Sequence, residues 1–343
     1  MKEDANILFP AEWAPQSGVM LTWPHEATDW KDILDEVIPC YVSIAKEIIK
    51  REILLIVCKN IDNVKQALGN VDYKQIIFRE MEINDTWARD HGPISVIAHG
   101  HPFICDFTFN GWGMKFAANY DNQITKKLFS SGTFVPEVHY QNMMHCVLEG
   151  GSLESDGCGT ILTTSKCLLS ENRNEYKDKN EISDYLKMIF GAKRILWLDN
   201  GYLVGDDTDS HIDTLARFCN PETIAYIKCD DKEDEHFESL SKMEDELKKF
   251  KTIEGRPYHL IPLPMANAVY DNGERLPATY ANFLIINSAV LFPTYNSLQD
   301  EIAKQQLQLA FPERDIIGIN CLPLIKQHGS LHCVTMQFPE NFI

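Results

Sequence analysis

The sequence contains no pair of cysteines in a Cys-x-x-Cys arrangement, although ten of its 343 residues are cysteine. Structural zinc sites are commonly built from such pairs, so their absence weakens the case for one. The cysteines are scattered through predicted strands and helices and do not form the framework of a disulfide-rich domain. We therefore expect reduced thiols and a cytoplasmic protein.

Positive charge is also scarce. The sequence has 32 Lys and Arg against 50 Asp and Glu, which gives a formal net charge of −18. Proteins that bind nucleic acid need basic patches to contact phosphates, so this balance argues against a nucleic-acid partner. It tolerates or attracts a small cationic ligand, although the same balance is equally typical of an acidic surface that has no ligand.

Long apolar segments are missing as well. No run approaches the roughly 18 to 20 apolar residues of a membrane-spanning helix, and the N-terminal segment lacks the apolar core of a signal peptide. We therefore expect neither a membrane span nor a secretion signal. No linker-like or low-complexity stretch divides the chain, so we expect a single domain over residues 1–343 with a sizeable core.

What the sequence does contain is an alternation of helix-like and strand-like segments, which predicts an α/β fold. Apolar periodicity predicts a helix over 29–52, which Pro39 is expected to break or kink. An Asp-Gly turn signal predicts a hairpin over 155–164. Further helices are predicted over 119–131, 181–191, 235–251 and 297–311, and strands over 53–58, 74–78, 93–98, 194–198, 223–229, 282–292 and 315–319.

Polar clusters precede several of the strand-like runs. Their spacing of roughly 50 to 70 residues suggests radial repetition, in which each unit presents one strand end to a shared centre. Irregular alternation in an α/β chain would account for the same spacing equally well. The clusters lie at 89–96, 149–153, 211–218, 280–286 and 332–338.

Four of these clusters contain side chains that carry chemistry, namely Asp90, Glu149, His211 with Asp213, and Cys333. A thiolate can attack a substrate, while an imidazole can protonate the leaving group and later activate water. Three carboxylates beside a thiol raise its pKa, and they make sense if the substrate itself is a cation. A planar guanidinium fits, because its paired N–H groups match a carboxylate.

A plainer role is available for each of these residues taken alone. His211 and Asp213 would share one face if they lie in a strand, yet His211 could also cap the acidic loop 205–211, which resembles a calcium loop only loosely. Asp90 could form an ion pair with Arg89, and Glu149 could open a turn. Cys333 alone would more often be a buried structural thiol.

The motifs taken together resemble, in order, those of the agmatine deiminase family. This family includes the bacterial type of peptidylarginine deiminase and belongs to the guanidino-group-modifying superfamily. Any single motif is weak, but the ordered set is specific and covers nearly the whole chain. The matching segments are 9–30, 85–96, 148–174, 205–218, 280–287 and 331–336.

The resemblance implies a fold, an activity and a role for each residue. The implied fold is a five-bladed α/β propeller (pentein) of ββαβ-type units with pseudo-fivefold symmetry and a central active site. The implied reaction is hydrolysis of agmatine to N-carbamoylputrescine and ammonia, without a metal or organic cofactor. Cys333 would be the nucleophile that forms a thiouronium intermediate, His211 the general acid and base, and Asp90, Asp213 and Glu149 the partners of the guanidinium.

The far end of the substrate is less well defined by the motifs. Trp87 and Asp207 are our candidates for binding the distal ammonium, while Trp112 could serve there or belong to the core. The alternatives are a deiminase of peptidyl arginine or another guanidine, and a guanidine- or polyamine-binding protein without turnover. A papain-like hydrolase is disfavoured, because its nucleophile would precede its histidine. A homo-oligomer is one possible assembly.

Two segments depart from the family pattern. Ser210 stands where glycine usually precedes the histidine, and His328 and Ser330 interrupt a stretch that is usually richer in glycine. Glycine reaches positive φ without steric cost, whereas other residues do not. We therefore expect these positions to affect loop geometry and substrate preference while the five catalytic positions stay intact.

Overall fold

The computed structural model describes residues 6–175 and 178–343. Strands and helices alternate along the chain, which confirms the predicted α/β class. The strands are β1 (Ile7–Leu8), β2 (Gln16–Thr22), β3 (Ile53–Cys58), β4 (Ile76–Glu80), β5 (Ile94–Ala98), β6 (His101–Thr108), β7 (His139–Val147), β8 (Glu154–Ser155), β9 (Thr160–Thr164), β10 (Arg194–Leu198), β11 (Ala216–Asn220), β12 (Thr223–Lys228), β13 (His259–Pro264), β14 (Tyr270–Asp271), β15 (Glu274–Arg275), β16 (Leu284–Ile286), β17 (Ala289–Thr294), β18 (Asp315–Asn320) and β19 (Thr335–Pro339).

The helices range from single turns to four turns in length. The longest, α1, has 15 residues, and no helix within 6–175 and 178–343 is long and apolar enough to cross a membrane. The helices are α1 (Leu34–Ile48), α2 (Ile61–Leu68), α3 (Ala88–His91), α4 (Gly111–Met114), α5 (Ile124–Ser130), α6 (Ser165–Leu168), α7 (Lys179–Phe190), α8 (Phe237–Leu247), α9 (Asp300–Ala310) and α10 (Leu322–Ile325).

Five sheets share one connection pattern. In each, an antiparallel pair of strands is followed by a helix that leads to a third strand, parallel to the second. The units are β5-β6-α5-β7, β8-β9-α7-β10, β11-β12-α8-β13, β16-β17-α9-β18 and β19-β2-α1-β3. In the last unit, β19 from the end of the chain pairs with β2 from its beginning.

Most predicted elements occur within a few residues of their expected positions, including the hairpin of β8 and β9. Of the two outcomes predicted for Pro39, a break or a kink, the break does not occur, since α1 continues through this residue. Proline removes only one hydrogen-bond donor there, and helix stability in proteins comes mainly from packing of the apolar face. That face buries Val37, Tyr41, Ile44 and Ile48.

The predicted strand over 282–292 is instead a hairpin of β16 and β17. Ser288 adopts a φ of 63° in the turn between them, which reverses the chain within an apolar segment. Both strands are buried, as is β3, whose residues Leu54, Ile56 and Val57 are fully inaccessible to solvent. Parallel strands covered on both faces are expected to be apolar throughout, and this explains their uninterrupted apolar sequence.

Candidate active site

Each of the five units contributes one polar side chain from the segment that precedes its first strand. Asp90 lies on α3 before β5, and Glu149 lies between β7 and β8. His211 precedes β11, Asn282 precedes β16, and Cys333 precedes β19. The structure therefore brings residues that are far apart in sequence to equivalent places in five similar units.

Cys333 lines a cleft of about 180 Å³. Its thiol lies 3.4 Å from Asn282 Oδ1, to which it can donate, and its backbone N–H donates to the same oxygen. The side chain is 7% exposed. Cys333 and Asp90 therefore both line this cleft.

His211 lies between two carboxylates. Its Nδ1 is 3.6 Å from Asp90 Oδ1, and its Nε2 is 3.8 Å from Glu149 Oε2. Burial opposes protonation of the ring, but the charge of Asp90, followed by the interactions with Cys167 and Glu149, outweighs it and raises the pKa of His211 well above its ordinary value. These neighbours favour the imidazolium form, which can donate a proton.

The prediction that His211 and Asp213 lie in a strand was wrong. Residues Ile212–Thr214 form a 3-10 turn, and β11 begins only at Ala216. Both side chains nevertheless point into the same site. A Cβ atom on Gly151 would lie 2.6 Å from His211 Nδ1, 2.9 Å from Asp90 Oδ1 and 3.2 Å from Asp213 Oδ2. Only glycine leaves room for the three side chains to converge.

The two oxygens of Asp213 have different environments. Oδ2 lies 2.7 Å from His332 Nδ1. Oδ1 is buried and has no hydrogen-bond partner among the described residues. Burial would raise the pKa of Asp213, but the hydrogen bond and charge of His332, together with His211, lower it. An ionised carboxylate with one free buried oxygen is suited to bind a cation.

Glu149 is paired with Arg173, a residue that the candidate set omitted. Arg173 Nε lies 2.9 Å from both Glu149 oxygens, and Arg173 Nη1 lies 2.6 Å from Asp209 Oδ2. Burial favours the neutral acid, but the nearby His211 ring and the charge of Arg173 lower the pKa of Glu149. Arg173 falls within the matching segment 148–174, which is the only signal that could have identified it.

The carboxylates around Cys333 raise the pKa of its thiol, as the composition of the cluster predicted. Burial and the negative charges of Asp213 and Asp90 raise its pKa well above the ordinary value. The thiolate therefore needs a positive charge in the cleft, which a cationic substrate would bring.

Comparisons with known proteins agree over nearly the whole chain. A family model described as Porphyromonas-type peptidyl-arginine deiminase matches residues 8–339. The chain belongs to this family. A protein provisionally named agmatine deiminase from Legionella pneumophila (strain Paris) is 35% identical over 343 residues, covering 98% of this chain and 96% of that protein.

Solved structures of family members superpose closely on this chain. The crystal structure of a provisionally named arginine deiminase from Porphyromonas gingivalis is 54% identical, with a TM-score of 0.95, and covers 98% of this chain and 100% of that one. A variant of the C. jejuni agmatine deiminase with substrate bound is 39% identical, with a TM-score of 0.92, and covers 99% and 98% of the two chains.

The cleft of this family member has an aromatic and acidic lining. Trp87 and Asp207, both predicted candidates, line it, together with Asp85, which the prediction missed. Trp112, for which the sequence allowed either a site or a core position, also lines the cleft. Its Nε1 donates to Asp90 Oδ2 at 2.9 Å. Burial and the charge of Asp29 raise the pKa of Asp85 to about 7.

The residues that depart from the family pattern occupy strained or crowded positions. Ser210 has a φ of 64° and His328 a φ of 66°, the left-handed region that glycine adopts freely. Ser330 differs, because its hydroxyl lies 2.8 Å from that of Tyr295 in a buried contact. His328 Nδ1 lies 2.8 Å from the Gly205 carbonyl, which joins the nucleophile loop to the loop before His211.

Within residues 6–175 and 178–343, two groups of side chains lie close enough together to hold a metal ion by distance alone. They are Glu149 with Cys167 and His211, and Glu12 with Glu154 and His332. In both groups an arginine already binds the carboxylates, Arg173 in the first and Arg217 in the second. Each arginine supplies the positive charge that a metal would otherwise bring.

Proposed function

We propose that this protein is an agmatine deiminase that hydrolyses agmatine to N-carbamoylputrescine and ammonia. One observation carries the proposal: Cys333 lines a cleft whose other lining residues include the carboxylates Asp85, Asp90 and Asp207 and the aromatic side chains Trp87 and Trp112. Agmatine has the matching form, with a guanidinium and an ammonium joined by an apolar chain. The relatives named agmatine deiminase support the same activity.

The guanidinium would bind between Asp90 and Asp213. The free Oδ1 of Asp213 can accept one N–H group, and Asp90, fixed by Trp112 and by the Gly151 N–H, can accept another. Pairing with a carboxylate matches the planar arrangement of the guanidinium donors. The bound cation would also lower the pKa of the Cys333 thiol and so favour the thiolate.

Attack by the Cys333 thiolate on the guanidino carbon would begin the reaction. His211 would donate its proton to the departing nitrogen, so that ammonia leaves and a covalent thiouronium remains on Cys333. The neutral imidazole would then take a proton from water as it attacks the same carbon. Collapse of that adduct releases the thiolate and the ureido product. Glu149, held by Arg173, would keep His211 oriented during both proton transfers.

The distal ammonium would lie at the outer, acidic end of the cleft. Burial and the neighbouring Asp206 raise the pKa of Asp207, and burial raises the pKa of Asp85 as well. A bound ammonium would stabilise the ionised form of both groups. Trp87 and Trp112 would contact the apolar chain of the substrate, since their rings face the same cleft.

We further propose that the five units form a single domain, a five-bladed propeller around this site. The shared ββαβ topology supports this arrangement, as does the convergence of one side chain from each unit. A cytoplasmic location remains a prediction.

The direct test measures ammonia release from agmatine, free arginine and a peptide with C-terminal arginine. We expect agmatine to be turned over with the highest kcat/KM and Cys333→Ser to be inactive. Comparable low rates on all three substrates would contradict the agmatine assignment. A preference for the peptide would support the peptidylarginine alternative, while tight agmatine binding without turnover would support a binding protein.

A further inference from the structure

His332, the residue before the nucleophile, is hydrogen-bonded on both sides of its ring. Its Nδ1 lies 2.7 Å from Asp213 Oδ2, and its Nε2 lies 2.7 Å from Glu12 Oε2. The ring is 1% exposed and does not line the substrate cleft. The ring cannot turn without losing both hydrogen bonds.

Glu12 is itself held firmly. Its Oε2 also accepts from Arg217 Nη2 at 2.9 Å, and its Oε1 accepts from the backbone N–H of Ile285 at 2.7 Å. Burial would raise the pKa of Glu12, but the charges of Arg217 and His332 hold it well below its usual range. The carboxylate behind His332 is thus a fixed anion whose position is set by β11 and β16.

The backbone of the same segment is tied to the same partner. Asn282 Oδ1 accepts the N–H of His332 at 2.8 Å and that of Cys333 at 3.3 Å, while Asn282 Nδ2 donates to the Asp213 carbonyl at 3.4 Å. The nucleophile and Asp213 are consequently joined twice, through Asn282 and through the His332 ring.

We propose that His332, anchored by Glu12, is a positioning residue that fixes the Asp213 carboxylate so that its free oxygen faces the substrate guanidinium. This inference rests on the proposed function, because it assigns Asp213 to guanidinium binding. With Oδ2 engaged by the ring, only Oδ1 is available, and its direction is set by His332. Loss of the ring would let the carboxylate rotate and would leave Glu12 without one of its partners.

The test uses the Cys333→Ser enzyme, so that binding is measured without turnover. We would compare the Kd of agmatine with that of N-carbamoylputrescine, which keeps the ammonium and chain but has a neutral ureido group. Hydrogen bonds to charged groups carry roughly tenfold to a hundredfold in affinity. We expect His332→Gln to weaken agmatine by at least about tenfold and the ureido product by less than about threefold.

Glu12→Gln weakens the anchoring of the His332 ring without removing the ring. We expect it to lower the affinity for agmatine more than that for the ureido product, by a smaller factor than His332→Gln. Glu154→Gln is the matched control, since Glu154 binds Arg217 and the Phe218 N–H but makes no hydrogen bond with His332. It should lower stability without changing the ratio of the two affinities.

Equal losses for the two ligands in His332→Gln would overturn the inference while leaving the proposed function in place. So would the same selective loss in Glu154→Gln. Failure of the parent Cys333→Ser enzyme to bind any guanidinium ligand would overturn both. A His332→Gln variant that does not fold is replaced by Glu12→Gln, in which an unchanged ratio would count against the inference.

Discussion

Among single residues, Asp90 shows most clearly how the site balances opposing charges. Burial raises its pKa to about 6; the charge of His211 and the hydrogen bond from Trp112 lower it, while Asp213 and Glu149 raise it. A carboxyl group with a raised pKa keeps its proton to a higher pH. The charge that would bind a guanidinium is therefore present above pH 6 and is lost as the pH falls through about 6.

The pH dependence of kcat/KM for agmatine should consequently show an acidic limb near pH 6, because this ratio reports the free enzyme. Trp112→Phe removes the hydrogen bond to Asp90 Oδ2, which favours the ionised form. We expect this variant to shift the limb to higher pH in a pH–rate series. A limb that stays in place in Trp112→Phe would contradict the assignment of that limb to Asp90.

At the scale of loops and strands, the two serines at unusual positions should respond in opposite ways to glycine. Ser210 has a φ of 64°, and its buried hydroxyl has no partner within the described part of the chain. Glycine at this position would remove the backbone strain and the buried hydroxyl that has no partner. These gains outweigh the greater freedom of glycine in the unfolded chain. Ser210→Gly should therefore raise the free energy of unfolding by about 1 kcal/mol.

Ser330→Gly is the matched control. Ser330 does not have a positive φ, and its hydroxyl bonds with that of Tyr295, so this change should lower the free energy of unfolding by about 1 kcal/mol. Denaturant titrations of the two variants beside the parent protein provide the measurement. Destabilisation by Ser210→Gly would show that the Ser210 side chain makes a stabilising contact.

Local sequence patterns predicted the elements well where one rule dominated. Apolar runs marked β3 and β10, and the Asp-Gly signal marked the hairpin of β8 and β9. The patterns failed where tertiary contacts decide. The 3-10 turn over Ile212–Thr214 has the composition of a strand, and its conformation depends on distant partners such as His332 and Asn282.

The same distinction applies to the site residues. The five candidate side chains were found because strand ends and motifs pointed to them. Arg173, Glu12 and Asp85 were missed, because nothing near them in sequence shows what they contact. A buried arginine is recognisable only once the carboxylates that surround it are known.

On the scale of the whole molecule, pairing of the two chain ends explains the late position of the nucleophile. β19 completes the sheet that β2 and β3 begin, so the segment before β19 is equivalent to the segments that carry the other four side chains.

The net charge of −18 suits a substrate with two positive charges, since an acidic cleft raises the local concentration of cations.

The central claim is that Cys333 becomes covalently bonded to the guanidino carbon of agmatine. Mass spectrometry of enzyme quenched with acid during turnover tests this directly, and the Cys333→Ser variant serves as the control. The account predicts an adduct with the mass of agmatine less ammonia, located on the peptide that contains Cys333 and absent from the control. An adduct on another cysteine, or ammonia release by Cys333→Ser, would contradict it.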